Sequence, residues 1–104
     1  MWLGNNRGTE YSQEHTRFTI DQPEYWAYSW AEMGIYDDVA NIKAIKKYSG
    51  AEKVFYLGMS QGTIQMFYAL AHLEEKFFVN NLYKFIALAP CILFSQGDVP
   101  ETYY

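Results

Sequence analysis

Lys53-Val54-Phe55-Tyr56-Leu57-Gly58-Met59-Ser60-Gln61-Gly62 is the stretch of the chain that decides its fold. Its first half is a short apolar run bounded by a charge and a glycine. It lacks strict alternation, as expected of a strand buried on both faces. Residues 61–73 follow, with Ile64, Phe67, Tyr68 and Ala71 on one helical face. Between the two lies Gly58-Met59-Ser60-Gln61-Gly62, a G-x-S-x-G pattern in the strand-to-helix context that gives the pattern meaning. A serine hydroxyl presented from so tight a turn needs a strained backbone and small neighbours. Gly58 and Gly62 are expected where a side chain would collide with the strand and the helix. Ser60 then sits at a helix N-terminus, where free amides and the helix dipole favour negative charge. The Gln61 N–H becomes a candidate oxyanion donor, an interaction that stabilises a tetrahedral intermediate by roughly 3–4 kcal/mol.

Upstream, Ile35, Val39, Ile42 and Ile45 recur at steps of four, three and three and predict a helix over 32–48. Asp37 and Asp38 near its start, and Lys43, Lys46 and Lys47 near its end, complement the helix dipole. Ser49-Gly50 ends it. Residues 83–89 form another apolar run, stopped by Pro90. Asn80-Asn81 reads as punctuation before that run, and Glu74-Glu75 as a solvated helix end. Met1-Trp2-Leu3 is a short apolar run broken by Gly4-Asn5-Asn6-Arg7-Gly8. Residues 9–28 have no sustained period and read as a long surface loop. The order strand, helix, strand, helix, strand predicts an α/β fold: a parallel sheet of about three strands (at Trp2, 54–57 and 85–88) flanked by helices. The two helices are expected on opposite faces, or at least flanking the middle strand.

At 104 residues the chain is one domain at most. Half of it is apolar and 19% is aromatic, enough for a sizeable core or ligand surface. The formal net charge of −4, with the lysines set among carboxylates, argues against a nucleic-acid partner. One cysteine, Cys91, allows no internal disulfide and reads as an ordinary buried thiol. There is no N-x-Ser/Thr acceptor, no signal-peptide pattern from Met1 onward, and no apolar run long enough to span a membrane. No pattern asks for a metal or another cofactor.

Several segments together resemble the acid lipases, the α/β-hydrolase group of gastric lipase and lysosomal acid lipase. Trp2-Leu3-Gly4-Asn5-Asn6-Arg7-Gly8 is similar to the group's W-[LM]-G-N-x-R-G segment. Tyr25-Trp26-Ala27-Tyr28-Ser29-Trp30-Ala31-Glu32-Met33 and Tyr36-Asp37 match the aromatic stretch and helix start that follow. Gly58-Met59-Ser60-Gln61-Gly62-Thr63 matches the G-[HM]-S-Q-G-T elbow, with Met59 in place of the commoner His. Leu88-Ala89-Pro90 matches a strand end. The resemblance runs in order from residue 2 to residue 90. It implies a serine esterase acting on neutral lipid esters such as triacylglycerols or sterol esters, with possible association to a lipid interface. Ser60 takes the nucleophile position and Gln61 the oxyanion position. It also implies a secreted or lysosomal setting, and it makes residues 1–104 the central, incomplete portion of a lipase domain.

The resemblance further implies that the triad Asp and His, and a second oxyanion donor on an H-G loop, belong to segments outside this chain. Neither histidine is an evident substitute. His72 lies twelve residues beyond Ser60 on the same predicted helix, roughly 18 Å away by helical rise, whereas a base must come within about 3 Å. His15 lies in the long loop. Arg7 is read either as orienting the loop beside the elbow or as a surface residue. Trp26 and Trp30 are read as packing against the elbow layer in preference to lining an acyl surface. Two other functions stay open on sequence: a catalytically inactive lipase-like remnant that binds lipid or a protein partner, and a different serine hydrolase on the same fold.

Overall fold

In the computed structural model, residues 1–92 are described. The first secondary structure is a single 3₁₀ turn, Pro23–Trp26, inside the expected long loop. It carries Tyr25 into a buried position. A helical stretch then runs as three consecutive pieces: α1 (Trp30–Glu32), a π-helical segment (Met33–Asp38) and α2 (Val39–Ser49). It begins two residues before the predicted 32, and a capping box explains why. The Ser29 hydroxyl accepts from the Ala31 N–H (3.2 Å), and the Glu32 carboxylate accepts from the Ser29 N–H (2.8 Å). Those bonds from Ser29 hold the Glu32 carboxyl below its ordinary range.

After α2 come β1 (Val54–Met59), α3 (Gln61–His72), α4 (Glu75–Asn81) and β2 (Leu82–Leu88). α4 was not expected. Asn80 and Asn81 close a helix rather than punctuate a loop, and the Lys46 Nζ crosses from α2 to the Asn81 side chain (2.6 Å) and the Asn80 carbonyl (3.3 Å). A cation is thereby delivered to the C-terminal end of α4, where the helix dipole favours it.

β1 and β2 pair in parallel, as the element order requires, with Tyr56 opposite Phe85, Leu57 opposite Ile86 and Met59 opposite Leu88. A register irregularity between Val54 and Phe55 sets Tyr83 and Lys84 facing solvent in succession before alternation resumes. Among the described residues the sheet has these two strands and not three. Met1 to Leu3 is not a strand. Trp2, Gly4 and Asn6 face β1 across a cleft of about 250 Å³ that Asp38 and Asn41 also line. The loop is held off the strand by its own attachments. Gly4 lies against the Asn41 side chain, and Asn6 is tied to Gln65 of α3 by paired side-chain amides at 2.9 and 3.3 Å.

Both helices pack on the same side of the sheet, which corrects the expectation of opposite faces. Ile42 of α2, Met66 and Ala69 of α3 and Phe78 of α4 form one core with Val54, Tyr56, Leu82 and Phe85 beneath them. The other face, carrying Phe55, Leu57, Met59, Tyr83, Ile86 and Leu88, is exposed. The strands are therefore half-buried and not buried on both faces. The missing alternation in the sequence came from apolar residues on both sides. The fold class nevertheless holds: two parallel strands joined by a helical crossover and flanked by helices, an α/β arrangement.

Candidate active site

The site is built where β1 turns into α3. Strand ends at Met59, helix begins at Gln61, and Ser60 between them has φ 50° and ψ −113°. A residue with a Cβ held at positive φ costs about 1–3 kcal/mol and persists only where its surroundings over-determine it. The surroundings here do so. The Ser60 N–H donates to the Leu88 carbonyl at the end of β2 (3.0 Å). The Ser60 carbonyl accepts from both the N–H (2.9 Å) and the hydroxyl (2.6 Å) of Thr63. Thr63, fully buried, also accepts the Cys91 N–H at 3.1 Å. One threonine thus ties the exit of β2 to the floor of the turn.

Gly58 is required by close approach. A Cβ there would stand 2.5 Å from the Gly62 carbonyl oxygen. Gly62 itself has more room than the spacing implied, since an added Cβ would meet only the Tyr56 hydroxyl, at 3.9 Å. The turn is tight on its strand side. The Ser60 side chain makes no capping bond to α3 and the residue is exposed. Gln61, the first residue of α3, has no intrahelical acceptor for its N–H. Its side-chain amide is occupied, donating to the Met33 sulfur at 3.0 Å. Met59 is exposed on the uncovered face of the sheet.

Behind the turn lies a polar network that sequence reading missed. Asp38, which its place near a helix start suggests is a dipole residue, is 3% exposed. Its Oδ1 accepts from Gln65 Nε2 (2.8 Å) and from the Tyr56 hydroxyl (3.1 Å), while its Oδ2 is buried without a partner. Burial raises the Asp38 carboxyl to about 7, and the Gln65 and Tyr56 bonds hold it from rising further. Burial also pushes the Tyr56 phenol up, with the Asp38 charge adding to the effect. The π-helical segment brings Asp38 here. Its Gly34 crosses α3 so closely that a Cβ would stand 2.2 Å from the Gln65 carbonyl oxygen. A signal was present in the doublet: a single carboxylate suffices near a helix start, and Asp37-Asp38 supplies two.

Asp37 has the opposite setting. Arg7 grips it with Nη2 at 2.7 Å, Nε at 3.0 Å and the backbone N–H at 2.9 Å. That bonding raises the Arg7 guanidinium. Arg7 also lies over the Tyr28 and Tyr36 rings, and the Tyr28 hydroxyl donates to the Arg7 carbonyl at 3.1 Å. Arg7 therefore acts with the Asn6–Gln65 pair to fix the N-terminal loop. Trp30 packs edge-on against Tyr68 of α3, and Trp26 packs against Tyr25 and donates its indole N–H to the Ile20 carbonyl.

The histidines are engaged elsewhere. His72, at the far end of α3, stacks on Tyr68 with a ring nitrogen 2.9 Å from the Tyr68 carbonyl. His15 Nδ1 accepts the Arg17 and Phe18 backbone N–H groups, both at 3.0 Å. Glu74 and Glu75 are exposed where α4 begins, and Cys91 is half-buried. Among the described residues no cluster of His, Cys, Asp or Glu could hold a metal ion, and no helix is long and apolar enough to cross a membrane.

No protein-family model matches the chain. Individual relatives do. Lipase member M of Homo sapiens is 37% identical over 98% of this chain, and gastric triacylglycerol lipase of Bos taurus is 37% identical over 90%. Lysosomal acid lipase/cholesteryl ester hydrolase of Macaca fascicularis is 39% identical over 88%. The chain belongs to the acid-lipase family. It spans about a quarter of those relatives, 24%, 28% and 23% of their lengths respectively. Within this acid-lipase segment, the strained serine turn and the Arg7–Asp37 clamp fall in three of the stretches that carry the resemblance, residues 2–8, 36–37 and 58–63.

Proposed function

We propose that Ser60 is the nucleophile of a carboxylic ester hydrolase and that residues 1–104 are the central portion of its lipase domain. The observation that carries this reading is the positive-φ backbone of an exposed Ser60 between β1 and α3. Strain of this kind collects at reactive centres.

In the proposed reaction the Ser60 hydroxyl attacks the ester carbonyl carbon. Its proton passes to a histidine base, and the carbonyl oxygen becomes an oxyanion. The Gln61 N–H donates to that oxyanion. Collapse of the intermediate expels the alcohol, protonated by the same histidine, and leaves an acyl group on Ser60. Water then hydrolyses the acyl-enzyme by the same steps. The base and its orienting carboxylate are assigned to parts of the enzyme outside the described residues, because His15 and His72 hold other partners.

The proposed substrate class is supported by the relatives, whose names specify a triacylglycerol lipase and a cholesteryl ester hydrolase. The proposed substrates are neutral lipid esters, met at a lipid interface in a secreted or lysosomal setting, the second of which one relative's name supports. The test is a chimera in which the matching quarter of bovine gastric triacylglycerol lipase is replaced by this chain. The expected result is turnover of a short-chain p-nitrophenyl ester and of tributyrin, reduced roughly 10⁴–10⁶-fold by Ser60→Ala. A folded chimera whose turnover survives Ser60→Ala would remove Ser60 from the chemistry.

A further inference from the structure

We propose that Asp38 and Tyr56 are positioning residues for the Ser60 turn, and that the charge on Asp38 decides which of two carbonyl-type acceptors the Tyr56 hydroxyl serves. The functional meaning rests on the reading of Ser60 as nucleophile; the linkage itself does not.

The geometry is specific. The Tyr56 oxygen is 3.1 Å from Asp38 Oδ1 and 3.1 Å from the Gly62 carbonyl oxygen, and a phenol has one proton to donate. The Gly62 carbonyl lies in the first turn of α3, two residues beyond Ser60. It is also the atom that leaves no room for a side chain at Gly58. Whatever moves it moves the strand side of the turn. An ionised Asp38 attracts the phenolic proton, because a hydrogen bond to a charged acceptor is about twice as strong as a neutral one. A protonated Asp38 loses that advantage, and the phenol swings to Gly62. No covalent bond changes other than one O–H formed on the carboxyl from a solvent proton, with a rotation of one hydroxyl.

The surroundings leave few competitors. From the segment of Asp38 itself comes Asp37, already gripped by Arg7. From α3 comes the neutral Gln65, which also donates to the Tyr56 oxygen (3.3 Å), and from the N-terminal loop the neutral Asn6. α2 contributes Asn41 and Ile42 to the same cleft, while Lys43 and Lys46 are turned to Phe77 and to the end of α4. Among the described residues no cation pairs with Asp38. The carboxyl rises to about 7 through burial, which places the exchange within the range a cell compartment can cross.

The experiment is a ¹³C and ¹⁵N NMR titration of the full chain, following the Asp38 side-chain carboxyl carbon, the Gly62 carbonyl carbon and the Thr63 amide nitrogen. In the wild-type chain all three are expected to shift with one midpoint. In Tyr56→Phe the Asp38 carbon still titrates and the Gly62 and Thr63 signals go flat; in Asp38→Asn both are flat. Ser60→Ala leaves the linkage intact, so the linkage and the nucleophile reading stand or fall separately. In the chimera, Tyr56→Phe is expected to flatten one limb of the pH profile of kcat without a matching change in KM. A Gly62 signal that ignores the Asp38 titration in the wild-type chain overturns the proposal. So does one that follows pH undiminished in Asp38→Asn, a result that decides the matter even where Tyr56→Phe fails to fold.

Discussion

The two faces of the β1–β2 sheet are both largely apolar and have opposite fates. One carries Val54, Tyr56, Gly58, Leu82 and Phe85 under three helices. The other carries Phe55, Leu57, Met59, Ile86 and Leu88 in the open, with Phe55 and Leu57 at 66% and 60% exposure. Hydrophobicity alone does not distinguish them. What distinguishes them is the polar network on the covered side, Asp38, Gln65, Tyr56 and Asn6, which fixes how the helices sit. The Ser60 turn is accordingly held from one side: Gly58 against Gly62 and Tyr56 beneath, with Thr63 closing the floor. From the residues of the open face it takes only the Leu88 backbone carbonyl, which accepts the Ser60 N–H. An apolar sheet face of this kind is what a larger α/β-hydrolase covers with further helices.

The covered face depends most on its core. Met66 is fully buried among Ile42, Ala69 and Phe78. Met66→Ala is expected to cost roughly 2–5 kcal/mol, from lost transfer energy and the cavity left behind. Leu57→Ala, on the open face, is expected to change stability by about 0.5 kcal/mol or less, as for surface sites. Its visible effect is reduced self-association. Urea denaturation with sedimentation velocity checks both variants. Similar losses from the two would mean that the open face is covered in solution.

Between these extremes lies the acid-base behaviour of the covered side. Asp38 has an ordinary value of 3.8 and is raised to about 7 in the folded chain. Between those values the folded chain binds a proton that the unfolded chain has released. Stability from this group is therefore full below about pH 4 and falls as pH rises towards 7. Above 7 it is flat. About three pH units of linkage correspond to roughly 4 kcal/mol at most. Asp38→Asn removes that slope. Thermal melts from pH 4 to 8 are expected to converge at low pH and to show the variant more stable at high pH. Parallel curves for the two proteins would place Asp38 in a solvated setting.

How much of this was legible in the sequence depends on which side of the sheet carries the information. The Ser60 turn was legible because glycine at 58 has a steric cause, the Gly62 carbonyl, that leaves a mark in composition. Parallel pairing was legible from the order of apolar runs. The one-sided burial was not, because Phe55, Leu57 and Met59 are as apolar as the residues that alternate with them, which erases the period. α4 was hidden by Asn80-Asn81, whose turn preference is overridden by the Lys46 contacts from another helix. The Asp38 network was hidden for a similar reason. A carboxylate near a helix start has a sufficient local explanation, and only the π-helical register and Gly34 turn it inward.

The central claim is that the strained Ser60 is the reacting atom's carrier. It is tested most directly by treating the chimera with an activated alkylphosphonate ester and mapping the adduct by peptide mass spectrometry. The account predicts one adduct, on the hydroxyl of Ser60, formed in step with loss of esterase activity and absent in Ser60→Ala. An esterolytically active chimera that carries the adduct on another residue, or resists the reagent altogether, would contradict it.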